Sequence, residues 1–239
     1  MPSFLVPQIP ALGGSVELPR DEARHFLRAL RGRAGDEIQL LDGKGCVARA
    51  LTRMGAGRDE VLAEITSRQQ ALPPRMKLHL YVAPPANSLL TQILKQAVEL
   101  GVWRIVLLDC ERSVSRPADK SADDYEPDLV AALKQSGNPW LPEIVPLIAF
   151  DKALTAAPAH SYYGAVPEEN SAVENLGEIY GDLALFVGPE GGFSQPEIDH
   201  ARRAGARLVY AAGPVLRTET ASPVLSALVL FTLGAPAAQ

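Results

Sequence analysis

The first 70 residues contain short segments in which apolar and polar positions alternate, a period of two that is typical of β-strands. Glu37–Leu41 and Val47–Arg53 are two such segments, and Asp42–Gly45 between them supplies the glycines that tight hairpin turns favour. Glu60–Thr66 is predicted as a third strand. The pattern therefore indicates a small, β-rich, barrel-like domain.

One helix is predicted among these strands, with Asp21 as its N-terminal cap, an end near Leu30 and glycines at positions 32 and 35 behind it. The residues expected to form its buried side are Phe26, Leu27 and Leu30. Arg24, Arg28 and Arg31 follow at intervals of four and three, so on a regular helix they share one face. Such a face suits contacts with phosphate groups, although a simply solvated helix face has the same pattern.

A polar and proline-containing stretch, 69–75, is predicted to be a linker. Beyond it, strands alternate with helices. The predicted strands are Leu78–Ala83, Ile105–Leu108, Glu143–Pro146, Tyr162–Val166 and Leu183–Val187, and the predicted helices are one capped by Asn87 and stopped by Gly101, and one at Leu129–Gln135. This alternation predicts an α/β domain with a parallel sheet covered on both faces, and it divides the chain into domains at 1–70 and 75–239.

Composition narrows the class of protein. The chain has 239 residues, 47% of them hydrophobic, which is enough to bury a core. No apolar run reaches the roughly 18 residues of a membrane span, and the N-terminus lacks a secretory signal pattern, so a cytoplasmic protein without a membrane partner is expected. Cys46 and Cys110 are far apart and the histidines lack ligand spacing, so no metal site is expected.

The net charge of −5 argues mildly against a nucleic-acid partner, but the charge is unevenly distributed. Residues 1–70 hold ten Lys and Arg against nine Asp and Glu, whereas residues 71–239 hold thirteen against nineteen. The first domain is therefore the part of the chain that repels a polyanion least.

The segment Leu185–Glu197 contains an apolar strand, a glycine-rich turn and the start of a helix. Ser194 and Glu197 have the spacing of a capping box, and the glycines allow backbone amides to approach a ligand. The turn follows a predicted parallel strand, where open α/β sheets bind ligands. The spacing differs from the dinucleotide fingerprint, and a tight turn without any ligand has the same local pattern.

A second strand, loop and helix occur at 208–221, and the helix continues to Leu233. This helix is apolar nearly all round, so it is expected to be buried in the core or at a subunit interface. Helix capping explains Glu219 near its start, because the helix dipole favours a carboxylate there. Capping does not explain Arg217, since a cation at a helix N-terminus is unfavourable unless an anion lies near.

These two segments, GPEGGFSQPE and LRTETA, resemble the RsmE family, the bacterial 16S ribosomal RNA uridine-N3 methyltransferases of the SPOUT class. Further stretches that match the family are His25–Arg31, Glu99–Val102, Glu111–Val114, Gln135–Ser136 and Pro142–Ile144. The resemblance implies a trefoil-knot α/β methyltransferase domain behind a PUA-like β-barrel. It also implies S-adenosylmethionine as cofactor, 16S ribosomal RNA or the small ribosomal subunit as partner, and a homodimer.

The resemblance further implies that the cofactor lies bent among three loops, near Val166, at 187–192 and at 211–221. The residues then expected to bind it are Val187, Gly188, Pro189, Glu190, Gly191, Gly192, Ala211, Ala212, Gly213, Leu216, Thr218, Thr220 and Ala221. Small side chains and backbone groups would hold the adenine and the methionine moiety.

The N3 proton of uracil is lost only well above neutral pH, so the reaction needs a base or stabilisation of the anion. Arg217 is the first candidate for stabilising negative charge on the uracil oxygens, and Glu219 is a weaker candidate base. Thr218 and Thr220 are candidates for orienting the base or the cofactor. The residues expected to contact RNA are Arg24, Arg28, Arg31 and Arg112, although Arg112 could equally form an ion pair with Glu111 or another carboxylate.

Several residues depart from the family pattern. Gln96 replaces a usual lysine, Lys134 and Asn138 flank the Gln-Ser pair where Glu and Arg are common, and Pro214 replaces a polar or basic residue. Ser222-Pro223 is also unusual. These departures leave open a methyltransferase for another RNA, such as tRNA, and a catalytically degenerate protein that binds RNA during ribosome assembly. A small-molecule enzyme is disfavoured because no P-loop lysine is present.

Overall fold

The computed structural model describes residues 1–57, 59–117, 119–165, 181–211 and 214–233. It divides into two compact units. Unit 1 comprises Met1–Pro73 and Val130–Leu141, and unit 2 comprises Pro74–Leu129 and Pro142–Gln239. A segment from the middle of the chain therefore belongs to the same unit as the N-terminal residues.

Unit 1 contains a five-stranded sheet in the order β1-β3-β4-β5-β2. The strands are β1 (Ser3–Leu5), β2 (Ser15–Glu17), β3 (Glu37–Leu41), β4 (Cys46–Met54) and β5 (Val61–Gln70). β1 runs parallel to β3, and the other neighbours are antiparallel. The three predicted strands are confirmed, but β5 includes Gln69 and Gln70, which the sequence assigned to the linker. β1 and β2, with three residues each, are too short for a periodic signal.

The predicted helix of unit 1 is shorter and less regular than expected. It begins at Arg20 with Pro19 at the capping position, so Asp21 lies within the first turn and the predicted cap was wrong. Helix α1 (Arg20–Arg24) passes into one π-helical turn, His25–Ala29, closed by a bond from the Leu30 N–H to the His25 carbonyl. Phe26 is buried and Leu27 partly buried, as predicted. Leu30 follows the wider π turn and is 45% exposed, so the prediction that it is buried was wrong.

The segment Val130–Leu141 completes unit 1. The Gly45 N–H donates to the Pro139 carbonyl, and the Leu141 N–H donates to the Gly43 carbonyl, both at 2.9 Å. Lys134 forms an ion pair of 2.8 Å with Glu22, a carboxylate whose side chain is 13% exposed. This ion pair gives Lys134, one of the departures from the family pattern, a structural partner within the unit.

Unit 2 contains a six-stranded, entirely parallel sheet in the order β11-β9-β10-β6-β7-β8. Its strands are β6 (Met76–Val82), β7 (Arg104–Asp109), β8 (Glu143–Ala149), β9 (His160–Gly164), β10 (Gly181–Val187) and β11 (Arg207–Val209). Its helices are α2 (Asn87–Glu99), α3 (Glu126–Ser136, which continues into unit 1), α4 (Phe150–Ala156), α5 (Gln195–Arg203) and α6 (Thr218–Leu233). The predicted α/β class and parallel sheet are confirmed.

Several local predictions for unit 2 hold and others fail. Gly101 ends α2 with a φ of +77°, as predicted, but the capping position is Ala86 and Asn87 is the first helical residue. β8 extends past Pro146 and contains a register shift opposite β7. Helix α4 was not predicted, and the Val166 end of the fourth predicted strand lies outside the described residues. None of the described helices is long and apolar enough to cross a membrane.

Helix α6 packs against α2, β6 and β10. Leu225 and Val229 are buried, whereas Phe231 is 89% exposed and Val224 is also exposed. Within a single chain the helix is therefore only partly buried, and its exposed side is the part that the expected subunit interface would have to cover. One face of α6 belongs to the core of unit 2, and the other carries apolar side chains to the surface.

Candidate functional site

Three neighbouring strands of unit 2 end at the same edge of the sheet, and a cavity of about 240 Å³ lies there. β9 ends at Gly164, β10 at Val187 and β11 at Val209. The lining residues are Gly164, Ala165, Val187, Gly188, Pro189, Glu190, Gly192, Val209, Tyr210, Ala211, Pro214, Val215, Leu216, Thr218, Ala221 and Leu225. The cavity thus has the position at which open parallel sheets bind their ligands.

The turn after β10 comprises residues 188–193 and is called the glycine turn below. It contains glycines for two different reasons. A Cβ on Gly188 would lie 3.2 Å from the backbone nitrogen of Phe193, so the close packing of the turn leaves little room for a side chain. Gly192 has a φ of +68°, in the left-handed region, and its N–H donates to the Pro189 carbonyl at 2.8 Å. Together these positions fold the turn back upon itself and bring main-chain atoms to the cavity.

The end of β9 contributes a further close approach. A Cβ on Gly164 would lie 2.6 Å from Cδ1 of Leu225 on α6. The absence of a side chain at position 164 therefore lets α6 approach the end of the sheet. Because both residues line the cavity, this contact sets the shape of its inner wall.

Helix α6 faces the cavity with Thr218, Ala221 and Leu225, which lie one turn or two turns apart on the same side. The Thr218 hydroxyl is buried and donates to the Gly188 carbonyl at 3.0 Å. This hydrogen bond joins the start of α6 to the glycine turn, so two of the three walls of the cavity are directly connected.

Arg217 precedes α6, and its carbonyl accepts the N–H groups of Thr220 and Ala221 at 2.9 and 2.7 Å. Its side chain is exposed, between the lining residues Leu216 and Thr218. Glu219 is half-buried in the first turn of α6, where the helix dipole favours a carboxylate. The geometry is compatible with the helix-end role expected for Glu219 and leaves the guanidinium of Arg217 at the surface.

The structure gathers most of the predicted binding residues around one cavity. Those that line it are Val187, Gly188, Pro189, Glu190, Gly192, Ala211, Leu216, Thr218 and Ala221. Gly191 and Thr220 are not among the lining residues, and Ala212 and Gly213 lie outside the described residues. Thr220 is exposed because it stands two positions from Thr218, on another side of α6.

Sequence reasoning missed several lining residues. Val209, Tyr210 and Leu225 lie outside the expected loops. Gly164 and Ala165 adjoin the expected loop near Val166, and Pro214 and Val215 lie in the expected loop 211–221, but none of these four was named as a contact. The rule that ligands bind at the carboxyl ends of parallel strands could have found the residues after β9 and β11. Nothing local to Leu225 indicates its role, because that role depends on the packing of α6 against β9.

Arg112 does not form the ion pair with Glu111, one of the alternatives that the sequence leaves open. Its Nη1 donates instead to the Gly191 carbonyl at 3.0 Å and to the Phe193 carbonyl at 3.4 Å. The arginine is therefore attached to the outer side of the glycine turn.

The arginines of unit 1 do not form the single helix face that their spacing predicted. Arg24 and Arg28 lie 3.8 and 3.6 Å from the same carboxylate, Asp59. Arg31 has a φ of +55° and lies beyond the helical residues, because the helix ends with the π turn at Ala29. The charges of Arg24 and Arg28 are thus partly balanced by Asp59. Arg31 lies outside the helix and does not share a face with them.

Two titratable side chains of unit 2 are shifted by burial. Burial in the core raises the pKa of Cys110 to about 12, and the nearby Glu197 carboxylate adds to the effect. Burial lowers the pKa of His79, against the opposing attraction of Asp182. Within the described residues, no group of three or more His, Cys, Asp or Glu is arranged to hold a metal ion. Among the described residues, the lining offers small apolar side chains, main-chain groups, the hydroxyls of Tyr210 and Thr218 and the carboxylate of Glu190, with Arg217 adjacent in sequence.

A family model and a named relative each match most of the chain. Residues 72–230 match the family model described as an RNA methyltransferase domain. The chain is 28% identical over 221 residues to the ribosomal RNA small subunit methyltransferase E of Synechocystis sp., covering 90% of this chain and 72% of that protein.

Two solved structures have the same fold over nearly the whole chain. The ribosomal RNA small subunit methyltransferase E of Neisseria gonorrhoeae, crystallised with S-adenosyl methionine, superposes with a TM-score of 0.87 at 28% identity and 98% coverage of both chains. A probable rRNA methyltransferase from Porphyromonas gingivalis superposes with a TM-score of 0.81 at 29% identity, over 97% of this chain and 98% of the other.

Proposed function

Because the chain belongs to the RNA methyltransferase domain family, we propose that it is an enzyme that transfers a methyl group from S-adenosylmethionine to N3 of a uridine in 16S ribosomal RNA. The observation that carries the proposal is the cavity at the ends of β9, β10 and β11, whose walls contain both segments that resemble the family. The small ribosomal subunit, or its RNA, is the proposed substrate.

The residues of the cavity fit this cofactor. Glycines at 164 and 188 keep the walls free of side chains, and Val187, Leu216 and Leu225 offer apolar contact to a flat ring. Among the described lining residues, Glu190 is the charged one, and a carboxylate attracts a ligand with a positive sulfur. When bound, S-adenosylmethionine supplies a methyl group on a sulfonium leaving group.

The protein must then position the uracil and stabilise the charge that develops when its N3 proton leaves. We assign this stabilisation to Arg217, whose exposed guanidinium is adjacent in sequence to the lining residues Leu216 and Thr218. Glu219 is the second candidate, as a proton acceptor, and Thr220 is a candidate for orienting the base. Gly191, Ala212 and Gly213 remain proposed cofactor contacts.

The finer features of the fold are also proposals. In unit 2, β10 lies between β6 and β9, and α6 packs on α2 and β6. This insertion of a late strand between earlier ones supports the trefoil knot expected for SPOUT enzymes. The five-stranded sheet of unit 1 supports a PUA-like barrel that binds RNA through Arg24, Arg28 and Arg31. The exposed apolar face of α6, with Val224 and Phe231, supports a homodimer.

The test is methyl transfer from labelled S-adenosylmethionine to unmodified small subunits, followed by nucleoside analysis of the RNA. We expect N3-methyluridine with the wild-type protein. Removing a group that stabilises charge in a transition state typically lowers kcat by about 100-fold or more, and this is the result expected for Arg217→Ala. Arg217→Lys should retain more activity because it keeps a positive charge.

Arg203→Ala is the matched control, since Arg203 is an exposed arginine of α5 that bonds the Asp199 carbonyl of its own helix. It should behave as wild type. Transfer to tRNA rather than to small subunits would identify a different RNA substrate. Cofactor binding without transfer to any RNA would instead identify a degenerate RNA-binding protein.

A further inference from the structure

The segment between β7 and α3, residues 110–116, is attached to the glycine turn by two side chains that reach in opposite directions. From the segment, Arg112 donates to the Gly191 and Phe193 carbonyls at 3.0 and 3.4 Å. From the other side, Glu197 of α5 accepts the N–H of Glu111 at 2.8 Å. A cation on backbone carbonyls and a carboxylate on a backbone amide thus join the same two segments.

Glu197 performs a second task with its other oxygen. Oε2 accepts the Ser194 N–H at 2.8 Å, which forms the capping box at the start of α5. The carboxylate is buried, with 8% of the residue exposed, and both oxygens are used. One buried side chain therefore fixes both where the glycine turn becomes a helix and where the neighbouring segment lies.

The segment that Arg112 belongs to is itself held in place. Arg116 donates to Asp109 at 2.6 Å and to the carbonyls of Ser113 and Cys110 at 2.5 and 3.0 Å. The Ser113 hydroxyl accepts the Cys110 N–H at 3.0 Å. The backbone that carries Arg112 is therefore held by these hydrogen bonds. Because that backbone is held, the hydrogen bonds from Arg112 also restrict the position of the glycine turn.

The glycine turn needs such support. Gly188, Gly191 and Gly192 give it more backbone freedom than other residues would, and that freedom must be lost when a ligand binds. On its inner side the turn is bonded through Gly188 to Thr218. On its outer side the restraint comes from Arg112, which contacts Gly191, a turn residue that does not line the cavity.

The geometry points to Arg112 and Glu197 as positioning residues that hold the glycine turn in the conformation that binds the cofactor. Arg112 then acts through the turn and is not a phosphate contact for RNA. This inference rests on the proposed function, because it takes S-adenosylmethionine as the ligand of the turn. It assigns specific roles to one residue expected to bind RNA and to one expected only to cap a helix.

The test measures dissociation constants for S-adenosylmethionine by calorimetry with the full chain. The variants are Arg112→Met, Arg112→Lys, Glu197→Gln and the double variant Arg112→Met/Glu197→Gln. We expect Arg112→Met to bind about tenfold or more weakly, the scale of lost charge-assisted hydrogen bonds. Arg112→Lys should recover part of the loss. The two single effects should not add in the double variant, since both residues hold one turn.

Arg104→Met is the matched control, because Arg104 forms an ion pair of 3.2 Å with Glu143 at the opposite edge of the same sheet. It should lose stability without losing cofactor affinity. Denaturant unfolding of the cofactor-free variants separates a general loss of folding from a loss confined to binding.

Two results would overturn the inference in distinguishable ways. If the wild type binds no S-adenosylmethionine, the proposed function fails and the inference fails with it. If the wild type binds and Arg112→Met binds equally well, only the inference fails. In that second case, weaker RNA binding with a shallower salt dependence would identify Arg112 as a phosphate contact.

Discussion

At the scale of single residues, the cavity depends on side chains that are absent as much as on those present. Gly164 and Gly188 each leave room for a neighbouring element, and the consequences can be measured one substitution at a time. Away from the cavity, His79 is a polar side chain that is buried on the sheet, and burial lowers its pKa. Gly164 and His79 each lead to a prediction.

Gly164→Ala should weaken cofactor binding and destabilise the protein. The added methyl group would lie 2.6 Å from Cδ1 of Leu225, so the leucine must move within a buried wall of the cavity. Overpacking of this kind costs about 1–3 kcal/mol. Calorimetric titration and denaturant unfolding measure the two effects.

A second substitution provides the control. Leu225→Val removes the δ-carbons that the new methyl group would meet, so the double variant Gly164→Ala/Leu225→Val should bind the cofactor better than Gly164→Ala alone. Equal affinities of wild type and Gly164→Ala would show that this close approach does not shape the binding site.

His79 should make folding stability depend on pH. It is 8% exposed on β6, with Asp182 at 3.5 Å and Arg104, Lys77 and Glu143 also acting on its charge. Burial lowers its pKa, so the unfolded chain takes up a proton near pH 6.5, the ordinary histidine value, while the folded chain does not. The free energy of unfolding should therefore fall as pH decreases from about 6.5 to the lowered value.

His79→Gln removes this titration and serves as the comparison. Urea unfolding across that pH window should give a shallower pH dependence for the variant than for the wild type. Identical slopes would mean that His79 titrates alike in the folded and unfolded chains.

At the scale of secondary-structure elements, the contact between the start of α6 and the end of β10 holds the site together. The Thr218 hydroxyl and the Gly188 carbonyl form it at 3.0 Å, and both residues line the cavity. The first turn of α6 therefore acts both as a helix end and as a wall, which is why polar residues crowd a helix that is otherwise apolar.

Thr218→Val should separate these two elements while keeping the shape of the side chain. The buried Gly188 carbonyl would lose its partner, at a cost of about 1–3 kcal/mol in the free energy of unfolding. Denaturant unfolding of the cofactor-free protein checks this. Thr232→Val, at the exposed end of the same helix, is the control and should change stability much less. Similar losses in both variants would attribute the effect to helix propensity.

At the scale of the whole molecule, the order of residues along the chain does not match the division into units. Val130–Leu141 is separated by more than fifty residues from the rest of unit 1, yet it supplies Lys134 for the ion pair with Glu22 and two backbone hydrogen bonds to the turn at 43–45. A boundary drawn after residue 70 therefore separates Val130–Leu141 from the rest of unit 1.

A fragment of residues 1–70 should consequently be less stable than the same region in the full chain. In a domain of this size, each 1 kcal/mol lost lowers Tm by about 4–8 °C. Thermal unfolding followed by circular dichroism measures it. Joining residues 126–141 to the fragment through a flexible linker should restore part of the loss. A fragment 1–70 that already melts as cooperatively and as high as the joined version would contradict this.

The sequence by itself determined the strands β3, β4, β6 and β10, the parallel α/β class and the glycine turn with its capping box. These features depend on hydrophobic periodicity and on residues that act within a few positions of one another. Resemblance to a known family, carried by two short segments, added the cofactor and the substrate class.

Only the tertiary structure decided that Gly164 meets Leu225, that Arg112 bonds the turn after β10, and that 130–141 joins the N-terminal unit. It also decided where Arg31 lies, because a single π turn changes the direction of every residue behind it. The physical reason is common to all of these. Each depends on packing or hydrogen bonding between segments far apart in the chain, or on a small change in helix geometry, and neither leaves a periodic pattern in the amino-acid sequence.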